Sequence, residues 1–286
     1  MIGIIVLDNY YVHQSEGYAI GNFINCTPTI KFLADYYKIK IKVLFHDKVV
    51  ENMYLNCDFI EIITKEQAEG IDCLFQSNLV NAIIPDYRYI FIKVLKKLKI
   101  SKKNVIIPHT YVDKKKTPKE YRENDYVVVV RGHAPGSGWL DKKDPGDDIY
   151  KFFLSELNSK YQLVFIGASV DYDRYINYMK DWVDNPFVEL NDIDRSLGLI
   201  AGAKFVIGND TGMYHVAGAY NVPMFVFWKD SLYPKSKSPG KGCVFSFKGN
   251  WYNDFNNWLK KDFDSVFFNK LNTKRKPGWW NWIKLW

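Results

Sequence analysis

Short apolar runs alternate with helical periodicities along the chain, and this alternation occurs twice. In the first half, the apolar runs at residues 2–7 and 41–45 are separated by a segment in which apolar residues recur at helical spacing, and a further apolar run follows at 59–63. A strand that leads into an amphipathic helix and then into another strand favours parallel strands joined by crossover helices. The pattern therefore predicts an α/β fold.

The polar segment after Asp8 is predicted to be a long loop that leads into the first helix. Apolar residues at Ile30, Leu33, Ala34 and Tyr37 follow a helical period, and Pro28 is predicted to lie near the start of this helix, with Thr27 as a candidate cap. Further elements predicted for this half are strands at 71–75 and 105–107 and a helix at 87–98.

Residues 113–125 are polar and include a proline, which is typical of an interdomain linker. The pattern then restarts, with predicted strands at 126–130, 163–166, 205–207 and 224–227 and with helices between them. We predict an N-terminal domain at 1–118, a C-terminal domain at 119–270 and a basic, aromatic tail at 271–286 that packs back on the first domain. Two doubly wound domains imply a cleft at the carboxyl ends of their strands.

Composition narrows the functional classes without choosing one. The four cysteines are scattered and form no CxxC pair, which argues against a zinc site or a disulfide scaffold and favours a reducing, cytoplasmic location. No apolar stretch has the length of a membrane span, and the N-terminal run lacks a basic leader. The net charge of +7 suits an anionic ligand, a membrane surface or nucleic acid.

The segment 201–228 is the most informative part of the sequence. A buried strand is predicted to end at Gly208, and the turn Asn209-Asp210-Thr211-Gly212 then opens a helix. The free amide groups at the start of a helix, together with the Thr211 hydroxyl, can bind a phosphate. Asp and Thr are also ordinary helix caps, so the residues alone leave both interpretations open.

This segment closely resembles the donor-site motif of glycosyltransferase family 9, the heptosyltransferases of lipopolysaccharide synthesis. The motif reads roughly AGAKFVV-x-x-DTG-x-x-H-x-AAA-x-x-x-P. The matching residues are Ala201, Gly202, Ala203, Lys204, Phe205, Val206, Asp210, Thr211, Gly212, His215, Ala217, Ala219 and Pro223.

A second resemblance lies near the N-terminus, where Ile20-Gly21-Asn22 and the segment 26–30 (CTPTI) are similar to the family's IGD-x-x-x-(T)TP segment. The resemblance implies the GT-B architecture, in which two Rossmann-like domains face a central cleft. It also implies an inverting displacement at the anomeric carbon, with a nucleoside diphosphate sugar as donor and no essential metal or other cofactor.

The resemblance assigns donor-binding roles to residues of the second domain. Asp210 would contact the donor sugar, the backbone of Thr211 and Gly212 would hold the diphosphate, and His215 could face the phosphates. The ribose would be held by Asp171, with Asp173 as the alternative, and the base would lie near Leu190 and Asn191. A phosphate-neutralising cation is expected at Lys142 or Lys143, with Arg131 as a competing candidate.

One position departs from the family. The proposed catalytic base of the family is the aspartate of its IGD segment, where this chain has Asn22. An amide does not accept a proton at neutral pH. Asp8, His13 or Glu16 could serve as the base instead, Asn22 could orient a reactive acceptor, or the protein could bind a sugar nucleotide without transferring the sugar.

These observations predict a glycosyltransferase that acts on a saccharide or a lipid-linked acceptor, with peripheral contact to the inner face of the membrane as an option. The alternatives are a phage-type enzyme that modifies DNA bases and a non-catalytic sugar-nucleotide binder. The tail at 271–286 is rich in Trp and Lys, which suits a membrane interface, a nucleic-acid strand or packing against the first domain.

Overall fold

Two parallel β-sheets, one in each half of the chain, organise the computed structural model. It describes residues 10–14, 20–77, 87–101, 105–132, 144–228, 243–247 and 251–260. In this part of the chain the first sheet has the order β3-β2-β1-β4 and the second has the order β10-β9-β8-β5-β6-β7. The strands are β1 (Tyr10–His13), β2 (Ile41–Leu44), β3 (Ile60–Ile63), β4 (Asp72–Gln76), β5 (Tyr126–Val130), β6 (Gln162–Gly167), β7 (Phe187–Leu190), β8 (Phe205–Asn209), β9 (Met224–Trp228) and β10 (Cys243–Phe247).

Helices connect the strands in both halves. One of them, α6 (169–182), changes type along its length, since Tyr172–Ile176 forms a π-helical turn between α-helical turns and Lys180–Trp182 forms a 3-10 turn. The other helices are α1 (Ile20–Tyr37), α2 (Lys48–Asn52), α3 (Lys65–Ala68), α4 (Tyr87–Lys97), α5 (Asp147–Asn158), α7 (Ile193–Gly202), α8 (Gly212–Ala219) and α9 (Trp251–Leu259).

Strand β5 is buried on both of its faces, as its unbroken apolar sequence predicts. Val127 and Val129 face a core formed with α5, α6 and α9. Val128 and Val130 face the opposite way, into a core that continues through α7 and α8 to the N-terminal domain. Burial of each of these valine side chains contributes about 1.5–3 kcal/mol to the free energy of folding. Strand β5, which lies between β8 and β6, is therefore a major source of stability at the centre of the second sheet. The second of these cores consequently extends across both domains, whereas the first lies within the C-terminal half.

Helix α1 begins earlier than predicted, and Pro28 lies inside it. Proline has no amide hydrogen to donate to the carbonyl four residues earlier. The hydroxyl of Thr27 fills this role, because it donates to the Ile24 carbonyl at 2.7 Å. The same hydroxyl accepts from the Tyr111 amide at 2.8 Å. Thr27 is therefore not a helix cap but the residue that allows a proline in mid-helix.

Most of the predicted strands and helices are confirmed, and the exceptions have physical reasons. The predicted strand at 105–107 is wrong, because Ile106 is 86% exposed and the segment pairs with no strand of the described chain. Strand β1 lies in a segment that was predicted to be a loop. It forms a strand because it pairs in parallel with both β2 and β4, and its own sequence does not reveal these partners. Strands β7 and β10 and helices α2, α3 and α9 were not predicted. The predicted first strand at 2–7 and the tail at 271–286 lie outside the described residues.

Residues 113–125, the predicted linker, contain no helix or strand and pack against both domains. The Asp113 carboxylate is buried and accepts from the Asn56 amide at 2.6 Å and from the Tyr111 hydroxyl at 3.0 Å. The Asp113 carbonyl accepts from the hydroxyl of Tyr220, which follows α8, at 2.6 Å. Because Asp113 binds both halves of the chain, this linker is a fixed structural part of the interface.

Candidate functional site

The carboxyl ends of β5, β6 and β8 lie side by side in the second sheet, because β5 pairs with both of the other strands. The chain leaves these strands at Arg131, Ala168 and Asp210, respectively. In doubly wound parallel sheets, ligands bind beyond this edge. The three exits therefore define a candidate site, which we call the donor edge.

The turn after β8 is fastened to the exit of β5 by the Asn209 side chain. Its Oδ1 accepts from the Gly132 amide at 3.0 Å, and its Nδ2 donates to the Gly132 carbonyl at 3.1 Å. A Cβ on Gly132 would lie 2.6 Å from the Thr211 methyl group, so only glycine permits this close approach. Sequence reasoning missed the role of Asn209, although it singled out the turn in which Asn209 lies.

Helix α8 begins at this turn with an unused threonine hydroxyl. Thr211 occupies the N-cap position, with φ −131° and ψ 174°, but its side chain makes no capping hydrogen bond. Its Oγ1 is shielded from solvent and has no partner among the described residues. The ordinary cap, one of the two interpretations of the sequence, is therefore not formed. The start of α8 instead combines this hydroxyl with helical amides that have no acceptor within the helix, a combination that suits an anion.

Only part of the turn is accessible to a ligand. Asn209 and Asp210 are buried, at 3% and 7% exposure, whereas Thr211, Gly212 and Met213 are half-buried. Asp210, predicted to contact the donor sugar, thus lies beneath the surface of the site. A ligand at the donor edge would reach the turn at Thr211 and Gly212 first.

The two sequence segments that resemble family 9 meet in space. The first turn of α1 packs against the first turn of α8, and a Cβ on Gly212 would lie 3.1 Å from the Cβ of Ile20. A Cβ on Gly21 would overlap the His215 ring, which is 6% exposed and also packs on the Tyr214 ring at 3.9 Å between centroids. His215 therefore lies in the interface between the domains, and the turn lies where the domains face each other.

The residues predicted to hold the nucleoside shape the exits of β6 and β7. Oδ2 of Asp171, which is 9% exposed, accepts from the Ala168 amide at 2.9 Å and so caps α6. The side chain of Asn191 accepts from the Ser169 amide at 2.9 Å and donates to the Ser169 hydroxyl at 2.6 Å. The alternative ribose ligand, Asp173, is exposed on α6. Asp171 and Asn191 thus hold the loop after β6 in place.

Arg131 is a structural cation at the exit of β5. Its buried guanidinium binds both carboxylate oxygens of Asp144, at 3.1 and 2.8 Å, and one oxygen of Asp147 at 2.8 Å. Its guanidinium carbon lies 4.6 and 4.3 Å from the ring centroids of Tyr150 and Tyr175. Burial opposes its charge, but the bonds to Asp144 hold the pKa of Arg131 above its ordinary value. Because protein groups occupy this guanidinium, the geometry does not support the predicted phosphate contact.

Four of the predicted site residues lie outside the described residues: Asp8, Glu16, Lys142 and Lys143. On the N-terminal side, His13 ends β1, and its Nε2 lies 2.5 Å from Nε2 of His46. Asn22 is half-buried in the first turn of α1, where its carbonyl accepts from the Cys26 thiol at 3.3 Å. Sequence reasoning identified His13 but missed His46, because the two positions meet only when β1 and β2 pair.

Among the described side chains, no three His, Cys, Asp or Glu residues converge in a group that could hold a metal ion. The helices described here are all too short or too polar to cross a membrane.

The protein has the GT-B fold of known glycosyltransferases, as the sequence predicted. It is similar to a glycosyl transferase of family 9 from Veillonella parvula DSM 2008, with a TM-score of 0.63, 12% identity and coverage of 91% of this chain and 92% of that chain. It is also similar to the E. coli ADP-heptose lps heptosyltransferase II, with a TM-score of 0.62, 12% identity and coverage of 87% and 98%.

A third similar structure is the E. coli heptosyltransferase WaaC with ADP, with a TM-score of 0.59, 11% identity and coverage of 87% and 98%. No family model and no curated protein sequence matches the chain. The similarity therefore lies in the fold and in the two short segments that meet at the domain interface.

Proposed function

We propose that the protein is a glycosyltransferase that binds a nucleoside diphosphate sugar at the donor edge and transfers the sugar to a saccharide or a lipid-linked acceptor. The observation that carries the proposal is the start of α8. Here Thr211 holds a shielded hydroxyl without a partner in the described chain, in the turn that faces the N-terminal domain, beside the first amides of a helix, which have no acceptor within the helix. A diphosphate supplies the acceptor oxygens that these donors lack.

The fold supports this assignment. The two-domain structures that this chain resembles include an ADP-heptose heptosyltransferase and a heptosyltransferase with ADP bound. An ADP-linked sugar is accordingly the first donor to test. The donor sugar would then lie over the buried Asp210, and the nucleoside would lie over the loop after β6 that Asp171 and Asn191 hold in place.

The proposed reaction is an inverting displacement that requires no metal. The acceptor oxygen attacks the anomeric carbon, the bond from that carbon to the diphosphate breaks, and its electron pair leaves with the diphosphate. The helical amides and the Thr211 hydroxyl would stabilise the negative charge that grows on the leaving group. This interaction strengthens as the bond breaks, which is what catalysis requires.

Thermal unfolding with a panel of ADP-, UDP-, GDP- and CDP-sugars tests the donor site. A ligand that binds the native state raises Tm, by an amount that grows with its concentration relative to Kd. We expect one nucleotide class to raise Tm, and we expect Thr211→Val to reduce that rise through a roughly tenfold weaker affinity, since a hydrogen bond to a charged group contributes about 1.5 kcal/mol or more.

Thr29→Val is the matched control. Thr29 lies in α1, is fully buried, and also has a hydroxyl without a partner in the described chain. Both variants replace a hydroxyl by a methyl group of similar volume, but only Thr211 lies at the donor edge. Equal donor affinities for the two variants would refute the donor site, as would a panel in which no nucleotide sugar changes the Tm of the wild-type protein.

A further inference from the structure

Two histidines form a hydrogen-bonded pair at the carboxyl edge of the first sheet. His13 ends β1, and His46 follows the neighbouring strand β2, to which β1 is paired in parallel. Their Nε2 atoms lie 2.5 Å apart, and their ring centroids lie 4.3 Å apart at an interplanar angle of 67°. Two ring nitrogens at this distance require that one carries the proton and the other offers a lone pair.

The backbone of His46 is held in place by Gln14, whose side chain is fully buried. Oε1 of Gln14 accepts from the amides of His46 and Asp47, at 2.8 and 2.9 Å. The backbone amide of Gln14 donates to the Leu44 carbonyl at 2.9 Å. These three bonds connect the ends of β1 and β2, so the position of His46 relative to His13 is set by buried contacts although the His46 ring is exposed.

The two rings differ in their access to solvent. His13 is half-buried and its Nδ1 is shielded from water, whereas the His46 side chain is exposed. The Tyr11 ring lies edge-on to the His13 ring, Cys73 lies beside the His13 backbone, and Lys97 lies close to Cys73. Burial raises the pKa of both Tyr11 and Cys73, so both are neutral at pH 7. On the other side, Asp47 follows His46 and accepts from the Val49 amide. His46 is thus the member of the pair that a substrate can reach.

The pair lies on the acceptor side of the proposed reaction. β1 leads along the chain to α1, and the first turn of α1 packs against the turn that begins α8. The carboxyl edge of the first sheet therefore adjoins the same interface as the donor edge. Asn22, in that first turn of α1, cannot act as a base, so a proton acceptor is needed elsewhere.

We infer that His46 is the base that deprotonates the acceptor hydroxyl and that His13 is a positioning residue that sets the tautomer of His46. This inference rests on the proposed function. Nε2 of His46 donates its hydrogen to Nε2 of His13, which leaves Nδ1 of His46 with a free lone pair. As the acceptor oxygen bonds to the anomeric carbon, its proton passes to this Nδ1, and the electron pair of the broken bond leaves with the diphosphate. The proton then passes from His46 to water.

The test compares His46→Gln and His13→Ala with His109→Gln as the matched control, since His109 is an exposed histidine outside the pair. Release of nucleoside diphosphate from the donor found by thermal unfolding is measured between pH 5 and 9, with water alone and with methyl hexosides as acceptors. Removing a general base lowers kcat by roughly 10²–10⁴-fold, so we expect this loss in His46→Gln, with little change in the KM for the donor.

The two roles differ in what each variant removes. His46→Gln removes the base itself, whereas His13→Ala keeps the base and removes only the hydrogen bond that fixes its tautomer, so kcat should fall less in His13→Ala. Nitrogen NMR of the wild-type protein, without any substrate, should show the Nε2–H tautomer at His46.

The outcomes separate this inference from the proposed function. Donor binding with equal kcat and pH profiles in His46→Gln, His109→Gln and the wild type would overturn the inference alone, as would an Nδ1–H tautomer at His46. A wild-type protein that binds no donor would overturn both.

Discussion

The imidazole of His215, on helix α8, fills the space where a side chain at Gly21, on helix α1, would otherwise lie. This contact joins the two segments that resemble family 9 and brings the two domains together at the donor edge. The interface therefore requires glycine at position 21, because a Cβ there would overlap the His215 ring.

Gly21→Ala should destabilise the protein through this overlap. Helix propensity alone would favour alanine by up to about 1 kcal/mol, whereas overpacking costs about 1–3 kcal/mol, so the net change should lower the stability. Chemical denaturation of Gly21→Ala, His215→Ala and the double variant forms a mutant cycle. The loss caused by Gly21→Ala should shrink or reverse in the His215→Ala background, and strict additivity would contradict the contact.

Thr27 and Thr29 make a matched pair within α1, since both are fully buried. The Thr27 hydroxyl makes two hydrogen bonds, whereas the Thr29 hydroxyl has no partner in the described chain. Thr27→Val leaves the Ile24 carbonyl and the Tyr111 amide unsatisfied and should lower the free energy of unfolding by about 1–3 kcal/mol. Thr29→Val should be neutral or stabilising. Equal losses in denaturant titrations of the two variants would show that Thr27 does not compensate for Pro28.

Arg131→Lys tests whether this cation supports the fold or binds the donor. Lysine keeps the charge but loses the two-pronged bond to Asp144, so the free energy of unfolding should fall by about 1.5–3 kcal/mol. The rise in Tm caused by the donor should stay the same, because the guanidinium contacts are internal. Arg122→Lys is the control, since its side chain is 86% exposed. A smaller donor-induced rise only in Arg131→Lys would instead assign a phosphate contact to Arg131.

Glu189 should contribute to the loss of stability in acid. Arg195, which donates two hydrogen bonds of 2.7 Å to this carboxylate, holds the pKa of Glu189 below its ordinary value of 4.5; burial works in the opposite direction and the Tyr121 hydroxyl adds to the lowering. A group whose pKa is lowered by folding stabilises the protein above its unfolded pKa, and this contribution disappears as the pH falls through the folded pKa.

Glu189→Gln should therefore reduce the stability at pH 7 by about 0.5–1 kcal/mol and should weaken the dependence of stability on pH below about 4.5. Glu61→Gln, which changes an exposed glutamate of β3, is the control and should keep the wild-type dependence. The measurement is Tm between pH 3 and 7. A Glu189→Gln variant with the acid dependence of the wild type would contradict the role of the Arg195 pair.

Local sequence patterns determined much of this fold. The apolar run of β5 and the helical period of Ile30, Leu33, Ala34 and Tyr37 in α1 each encode burial within a few residues, so they can be read without knowing what they pack against. The same holds for the two segments that resemble family 9, which led to the GT-B fold. The predicted strand at 105–107 failed because apolar residues do not by themselves show whether a partner strand exists; Ile106 is exposed.

The tertiary structure decided which of the candidate residues work together. His46 became a candidate only because β1 and β2 pair in parallel and bring its ring to His13. Asp144 and two tyrosine rings surround Arg131, and no capping bond uses the Thr211 hydroxyl, so the contacts favour Thr211 over Arg131 as a donor ligand, and both roles stay predictions. The physical reason is the same in each case: hydrogen bonds and ion pairs depend on distances between residues far apart in sequence, and only the packing of helices and sheets sets those distances.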